Sequence, residues 1–122
     1  MTVIPKSQLS EISFPDCVID YFEKSAFHLE CKLDGIYIDS RGMVNAPVYI
    51  TITNWKNASI ERFDSSGANP IQLDLTDSGS LREICEWDVT NTKISFAGFE
   101  RQSGQWQHYR FSYADIDVHI DE

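Results

Sequence analysis

The chain alternates apolar and polar residues in steps of two over four stretches, namely 27–33, 48–53, 71–75 and 116–120. A period of two is typical of β-strands that place one face on a core and the other in water. The turn-forming residues between these stretches keep the segments short. The pattern therefore predicts an all-β fold, an antiparallel β-sandwich or strongly curved sheet of about seven to eight strands with at most one or two short helices.

The phase of the alternation changes within the second predicted strand, which runs from Phe27 to about Asp39. Its apolar residues stand at odd positions before Asp34-Gly35 and at even positions after it. One inserted residue turns every later side chain to the other side, so we predict a β-bulge at this glycine. On this interpretation five side chains are buried: Phe27, Leu29, Leu33, Ile36 and Ile38.

The remaining segments extend the same interpretation. Strands are predicted at about 16–23, 59–63 and 93–99, and the long stretch 106–120 is expected to break near Ala114. Segment 80–90 fits both helical and strand spacing, and we favour a strand or a helical turn leading into one. Residues 1–13 are weakly patterned and are expected to be a loosely packed lead-in or a short helical turn. A chain of 122 residues corresponds to one domain, 1–122.

Charge narrows the classes of partner. Ten basic and nineteen acidic residues give a formal net charge of −9. Proteins hold phosphates with Lys and Arg, so this balance disfavours nucleic acid and anionic lipid. It favours a cationic partner, whose approach the field would accelerate, although the same charge also serves solubility.

Cysteine usage and the N-terminus bear on location. The chain has three cysteines, Cys17, Cys31 and Cys85, which is an odd number, and they are not closely spaced. We therefore expect buried thiols and no structural disulfide. Met1 to Pro5 lacks the pattern of a secretory signal, and no apolar stretch reaches the roughly 20 residues that cross a bilayer. We expect a cytoplasmic protein with no membrane partner.

The strand that ends the chain carries four residues of metal-ligand type: Asp115, Asp117, His119 and Asp121. Same-face neighbours on one extended strand are about 7 Å apart, too far to converge on one ion. We therefore expect a solvated acidic face and no metal. The three histidines and the carboxylates at 83–88 are likewise interpreted as surface or structural groups, and no catalytic or cofactor-binding motif is present. The chain is not expected to be an enzyme or to need a cofactor.

The three tryptophans differ in their surroundings. Trp87 falls on an inward set and is expected in the core, whereas Trp55 lies in a turn and Trp106 beside one. Exposed aromatic residues beside carboxylates are typical of protein-binding patches. The same aromatic residues could instead line a sugar-binding groove.

Three segments carry a family resemblance. Phe14-Pro15-Asp16 opens the first strand, Val48–Ile52 leads into Asn54-Trp55-Lys56-Asn57-Ala58, and an Asp-Ile-Asp-Val-His-Ile strand ends the chain. In this order the chain resembles the small all-β immunity proteins of bacterial polymorphic and contact-dependent growth-inhibition toxin systems. The resemblance implies a β-sandwich that binds one toxin domain tightly and blocks its active site. The toxins of such systems are often basic nucleases, which suits an acidic inhibitor.

Two functional hypotheses follow. The first is an immunity protein that binds a basic toxin domain through carboxylates and an aromatic anchor. The second is a β module that binds a small ligand or carbohydrate. For the first, the predicted partner-binding residues are Asp115, Asp117, Asp121, Glu86 and Asp88, with Trp55 or Trp106 as the anchor.

Overall fold

The computed structural model describes residues 1–122. In chain order the strands are β1 (Thr2–Val3), β2 (Ile12–Ser13), β3 (Ile19–Lys24), β4 (His28–Leu33), β5 (Ile36–Ile38), β6 (Gly42–Val44), β7 (Val48–Thr53), β8 (Asn57–Phe63), β9 (Pro70–Leu73), β10 (Glu86–Val89), β11 (Lys93–Phe99), β12 (Trp106–Ser112) and β13 (Asp115–Ile120). Two 3₁₀ helices cover Lys6–Glu11 and Leu75–Asp77. The all-β prediction is confirmed. The strands outnumber the predicted seven to eight because several contain only two or three residues.

The strands form three sheets in which every neighbouring pair is antiparallel. The first sheet has the order β1-β13-β7-β4-β3, and the second has the order β10-β11-β12-β8-β9. A small third sheet, β2-β5-β6, completes the set. The expected break near Ala114 is confirmed, because β12 belongs to the second sheet and β13 to the first.

One hydrophobic core joins the sheets. Leu29, Ile50 and Val118 face it from the first sheet, and Phe96 and Tyr109 from the second. Phe96 and Tyr109 stack with their ring centroids 5.0 Å apart. Phe22, from the first sheet, contacts these two rings at centroid distances of 6.5 and 5.5 Å. The inner faces of the two large sheets therefore pack on each other, and their outer faces point away from each other.

The phase change at Asp34-Gly35 marks a move of the chain between sheets. β4 ends at Leu33 in the first sheet, and β5 begins at Ile36 in the third. A Cβ atom at Gly35 would lie 2.9 Å from Met43 Cε and 3.1 Å from the Val44 carbonyl oxygen, so glycine allows this close passage. The predicted bulge within one strand is thus wrong. The only register shift in the first sheet lies on β3, between Ile19 and Tyr21.

Phe27 corrects the predicted core. Leu29, Leu33, Ile36 and Ile38 are buried as predicted, but Phe27 is 82% exposed. β4 begins only at His28, and the Ser25 N–H donates to the His28 carbonyl at 2.8 Å. Phe27 therefore belongs to the hairpin loop, where the strand alternation does not apply.

Two further segments differ from the pattern in the sequence. The strand predicted over 71–75 ends at Leu73, because Leu75 lies in the second 3₁₀ helix, where its side chain is buried. Ile71, within the strand, is 56% exposed. In the ambiguous segment 80–90 a strand is present from Glu86 to Val89. Cys85, expected to be buried, is exposed just before that strand.

The first thirteen residues pack against the body of the protein. Ile4, Leu9 and Ile12 belong to the core, and β1 pairs with β13. Trp87 is half-buried against the core, and its Nε1–H donates to the Leu9 carbonyl at 2.8 Å. Of the two alternatives for this segment, the structure has the helical turn, as a 3₁₀ helix of six residues.

A buried polar network fastens two loops to the second sheet. Gln107 Nε2 donates to the Ser78 carbonyl at 2.7 Å and lies 2.6 Å from Tyr109 Oη. Arg62 donates from Nε to Gln107 Oε1 at 2.7 Å and from a terminal nitrogen to the Ser78 carbonyl at 2.8 Å. The Glu100 side chain, 2% exposed, lies 3.4 Å from Arg62. Its carboxylate accepts hydrogen bonds from the N–H groups of Gln102 and Ser103 in the hairpin tip. Every member thus has partners, which a buried polar group requires.

Candidate functional site

The structure divides the predicted carboxylates between two surfaces. Asp115 and Asp117 are exposed on β13, where they alternate with the buried Ile116 and Val118, so they project from the outer face of the first sheet. Glu86 and Asp88 are exposed on β10, on either side of Trp87, and project from the outer face of the second sheet. Since these faces point in opposite directions, the predicted group is not a single surface.

Asp121 occupies a third place. It is exposed immediately after β13, and its N–H donates to the Pro47 carbonyl at 2.8 Å. Its neighbours in space include Arg41 and Glu122, which form an ion pair at 2.7 Å. Asp121 therefore lies at the opposite end of β13 from Asp115.

The tryptophans are less exposed than the sequence suggested and do not share a groove. Trp55 is half-buried and packs on Phe111, with ring centroids 4.9 Å apart. Trp106 is half-buried against Phe99 at 5.2 Å. The most exposed aromatic side chains are Phe27, at 82%, and Tyr113, at 59%. Neither was predicted as a site residue.

The outer face of the first sheet carries a row of acidic side chains. In the antiparallel register Glu23 stands opposite Glu30, Glu30 opposite Thr51, and Thr51 opposite Asp117. The adjacent row contains His28, Thr53 and Asp115. We call the four carboxylates of these two rows the acidic face: Glu23, Glu30, Asp115 and Asp117.

Few cations neutralise the acidic face. Lys32, on the same side of the sheet, pairs with Asp20 at 3.7 Å and lies over the Tyr49 ring at 5.9 Å. His28 lies 3.7 Å from Glu30, and Glu23, Asp115 and Asp117 take part in none of the ion pairs of the structure. Three of the four carboxylates of the acidic face therefore have no cationic partner.

Hydrogen bonds hold two of these carboxylates in place. Tyr21 Oη donates to Glu30 Oε1 at 2.6 Å, and this bond is the main cause of the raised pKa of Tyr21. Asn54 Nδ2 donates to Asp115 Oδ2 at 2.7 Å. The carboxylates thus point outward from a sheet in fixed positions, an arrangement that lowers the ordering cost of binding.

Aromatic residues border the acidic face at one end of the sheet. Phe27, Asn54 and Trp55 line a small depression of about 70 Å³. Its rim continues to Asp115 through the Asn54 hydrogen bond. We call Phe27, Trp55 and Tyr113 the aromatic end.

Backbone strain coincides with the aromatic end. Asn54 has φ of 57° and Tyr113 has φ of 54°, both in the left-handed region. Asn tolerates this conformation, whereas a bulky side chain such as Tyr rarely adopts it. The Tyr113 N–H donates to the Thr92 carbonyl at 2.9 Å, and Lys56 Nζ lies 5.1 Å from the Tyr113 ring. Strain of about 1–3 kcal/mol at such positions is found most often at functional sites.

A second candidate surface lies on the outer side of the second sheet. A depression of about 710 Å³ opens between the loop at 64–67 and the hairpin tip at 103–105. Four of the side chains that line it belong to strands, namely Phe63, Phe99, Trp106 and His108. We call this cavity the Trp106 depression.

His108 also forms the one Ser–His pair of the molecule. Ser95 Oγ and His108 Nε2 are 2.6 Å apart, and burial, followed by the nearby Arg110, lowers the pKa of His108. No carboxylate is hydrogen-bonded to His108 Nδ1. The pair therefore lacks the third group that orients the base of a catalytic triad.

Other classes of site find little support. No group of three or more His, Cys, Asp or Glu side chains is arranged to hold a metal ion. Neither 3₁₀ helix has the length or the apolar character to cross a membrane. Comparison with family models, curated proteins and solved structures gives no significant match.

Proposed function

We propose that the protein is an immunity protein, which binds a basic bacterial toxin domain, most simply a nuclease, and blocks its active site. One observation carries this proposal: the acidic face, in which Glu23, Asp115 and Asp117 have no ion-pair partner, lies beside the exposed side chain of Phe27. The immunity-like order of segments in the sequence supports the same function. In this role the protein acts in the cytoplasm, needs no cofactor and performs no catalysis.

Charge supports the choice of partner. Adjacent strands are about 4.8 Å apart and same-face residues along a strand about 7 Å apart, so the acidic face consists of two close pairs of carboxylates, Glu23 with Glu30 and Asp115 with Asp117, about 10 Å apart across β7. A nuclease cleft presents Lys and Arg side chains where the phosphates of its substrate bind. Carboxylates can occupy those positions through charge-assisted hydrogen bonds. The rest of the chain's negative charge would accelerate the encounter.

The aromatic end supplies the apolar part of the proposed interface. Phe27 is 82% exposed, more than any other large hydrophobic side chain of the chain, and it lies beside Trp55. Binding energy in protein interfaces is concentrated in a few such anchors surrounded by polar contacts. Phe27 therefore takes the anchor role that the sequence assigned to Trp55 or Trp106.

The decisive experiment uses the opposite outer faces as test and control. Asp115→Lys with Asp117→Lys reverses two charges on the acidic face, and Glu86→Lys with Asp88→Lys makes the same change in net charge on the other sheet. The ligand is the toxin domain encoded beside this gene, with affinity measured by calorimetry and function by protection of cells that express the toxin. We expect the first pair to weaken binding at least about a hundredfold and abolish protection. The second pair should change the association rate modestly.

Equal effects of the two double variants would show that only total charge matters, and would remove the acidic face from the interface. Undiminished protection by the Asp115 and Asp117 variant would have the same meaning. Failure of the unmodified protein to bind the neighbouring toxin domain would reject the immunity function itself.

A further inference from the structure

We infer that the Trp106 depression binds a neutral saccharide. This inference does not depend on the proposed immunity function, because the depression belongs to the second sheet and the acidic face to the first. Its volume of about 710 Å³ lies in the range of small-molecule sites.

Aromatic rings form the apolar part of the depression. The Phe99 and Trp106 rings meet edge to face, with an interplanar angle of 79° and centroids 5.2 Å apart. Phe63 lines the same cavity from β8. The Arg82 guanidinium lies over the Phe99 ring at 5.9 Å, so we assign the sugar-contacting ring face to Trp106. The C–H face of a sugar ring packs against an aromatic face of this kind, while its hydroxyl groups point to the rim.

The rest of the lining consists of hydrogen-bonding groups with little charge. Hydroxyl and amide side chains come from the two turns, and an imidazole comes from the strand: Ser65, Ser66, Ser103, Gln105 and His108. No Lys or Arg lines the cavity, and Asp64 is its only charged residue. Phosphorylated or carboxylated ligands would lack a countercharge here, so the lining favours a neutral, hydroxyl-rich molecule.

Both walls of the depression are held in place before a ligand arrives. Asp64 accepts hydrogen bonds from the Ser66 N–H at 3.0 Å, from Ser66 Oγ at 2.6 Å and from Asn69 Nδ2 at 3.1 Å. Across the cavity, the buried Glu100 accepts the N–H groups of Gln102 and Ser103 at 2.7 and 2.9 Å. The free-energy cost of ordering these turns on binding is therefore small, which matters because small sugars bind weakly.

The test is a nuclear magnetic resonance titration of the ¹⁵N-labelled full chain with three probes, maltose, cellobiose and N,N′-diacetylchitobiose, up to about 20 mM, a range suited to millimolar affinities. We expect at least one sugar to shift the Trp106 indole N–H and the backbone amides at 64–67 and 103–106. Trp106→Ala should remove these shifts or weaken binding at least about tenfold. Trp106→Tyr, which keeps an aromatic face, should retain part of them. The control is Tyr37→Ala, which removes an aromatic side chain that is 38% exposed on β5 in the third sheet, and this variant should bind as the unmodified protein does.

Three results would overturn the inference. The first is that none of the three sugars shifts the amides around the depression. The second is that the sugar-induced shifts lie elsewhere, which the unmodified protein reveals even where Trp106→Ala fails to fold. The third is that choline chloride, and not the sugars, shifts the Trp106 indole, because the rings beside Asp64 would then serve a cation.

Discussion

Glu23 and Glu30 stand directly opposite each other on the neighbouring antiparallel strands β3 and β4. Like charges at paired positions of a sheet destabilise the fold, and a Lys at either position would relieve the repulsion. The chain keeps both carboxylates on its outer face, where no packing requirement selects them. Such a cost to stability is expected where a surface serves binding.

Replacing Glu23 therefore separates stability from function. We expect Glu23→Lys to raise the free energy of unfolding by about 0.2–1 kcal/mol, because it turns a repulsive cross-strand pair into an attractive one. The same change should weaken binding of the basic partner. Urea denaturation measures the first effect and calorimetry the second. The free energy of unfolding of Glu23→Gln should lie between those of the unmodified protein and Glu23→Lys. A loss of stability in Glu23→Lys would show that Glu23 makes a favourable contact in the fold.

Phe27 and Leu29 provide a second contrast. Leu29 is fully buried, so Leu29→Ala should lower the free energy of unfolding by about 2–5 kcal/mol. Phe27 is 82% exposed, so Phe27→Ala should change stability by less than about 0.5 kcal/mol and yet reduce partner affinity by at least about 2 kcal/mol. Denaturation and binding curves for both variants check this. A large stability loss in Phe27→Ala would mean that the ring packs on the domain in solution.

The contrast between Phe27 and Leu29 also shows what the alternation can and cannot predict. In the strands β4, β7 and β13 the period of two identified the core correctly, as at Leu29, Ile50 and Val118, but in β9 the apolar Ile71 is 56% exposed. It failed at strand ends, because a hairpin loop does not continue the pleat and Phe27 lies one residue outside β4. The same cause explains Leu75, which keeps the apolar phase but lies in a 3₁₀ helix.

The grouping of site residues needed information that one sequence does not contain. Alternation indicates that Asp115 and Asp117 face solvent, and the same holds for Glu86 and Asp88. It does not show which strands are neighbours. The position of Glu23 beside Glu30, and of Asp117 in the same row two strands from Glu30, depends on the order β13-β7-β4-β3, which long-range pairing sets. Phe27 could have been recognised from the sequence by counting it with Ser25 and Ala26 as part of the loop between β3 and β4.

The three thiols should differ sharply in reactivity. Burial raises the pKa of Cys31 to about 12, and burial with Asp34 and Asp16 raises that of Cys17 to about 11, whereas Cys85 is exposed. Only the thiolate reacts, so the native protein should take up one equivalent of a thiol reagent, at Cys85. Desolvation, followed by the charges of Glu83 and Glu86, raises the pKa of Cys85, so its labelling should accelerate steadily as the pH rises. Mass spectrometry should find three labels after denaturation and none on native Cys85→Ser; native labelling of Cys31 would indicate an opened core.

Gly98, on β11, lies very close to the backbone of Glu83. A Cβ atom there would lie 2.0 Å from the Glu83 carbonyl oxygen, a backbone atom that cannot turn aside. We expect Gly98→Ala to lower the free energy of unfolding by about 3 kcal/mol, at the upper end of overpacking effects. Gly104→Ala is the control, because its added methyl meets nothing within 4 Å and only its φ of 68° is unfavourable. In thermal denaturation the melting temperature of Gly104→Ala should be well above that of Gly98→Ala. The reverse order would mean that segment 81–85 moves freely.

Glu100 should make stability depend on pH in the acidic range. Burial would raise its pKa, but the N–H groups of Gln102 and Ser103 and the charge of Arg62 outweigh this effect, and its pKa lies below the usual 4.5. A carboxyl whose pKa is lower in the folded than in the unfolded state stabilises the fold above the unfolded pKa. That contribution disappears as the pH falls through the folded pKa.

The comparison of Glu100→Gln with the unmodified protein isolates this contribution. At pH 7 the variant should be less stable by about 1–3 kcal/mol, because a neutral amide replaces the charged acceptor in a buried network. As the pH falls from the unfolded pKa near 4.5 through the lower folded pKa of Glu100, the unmodified protein loses this contribution, so the difference between the two proteins should shrink. Urea denaturation at pH 7, 5, 4 and 3, with exposed Glu86→Gln as the control, provides the measurement. A difference that stays constant over this range would show that the charge of Glu100 does not hold the hairpin tip.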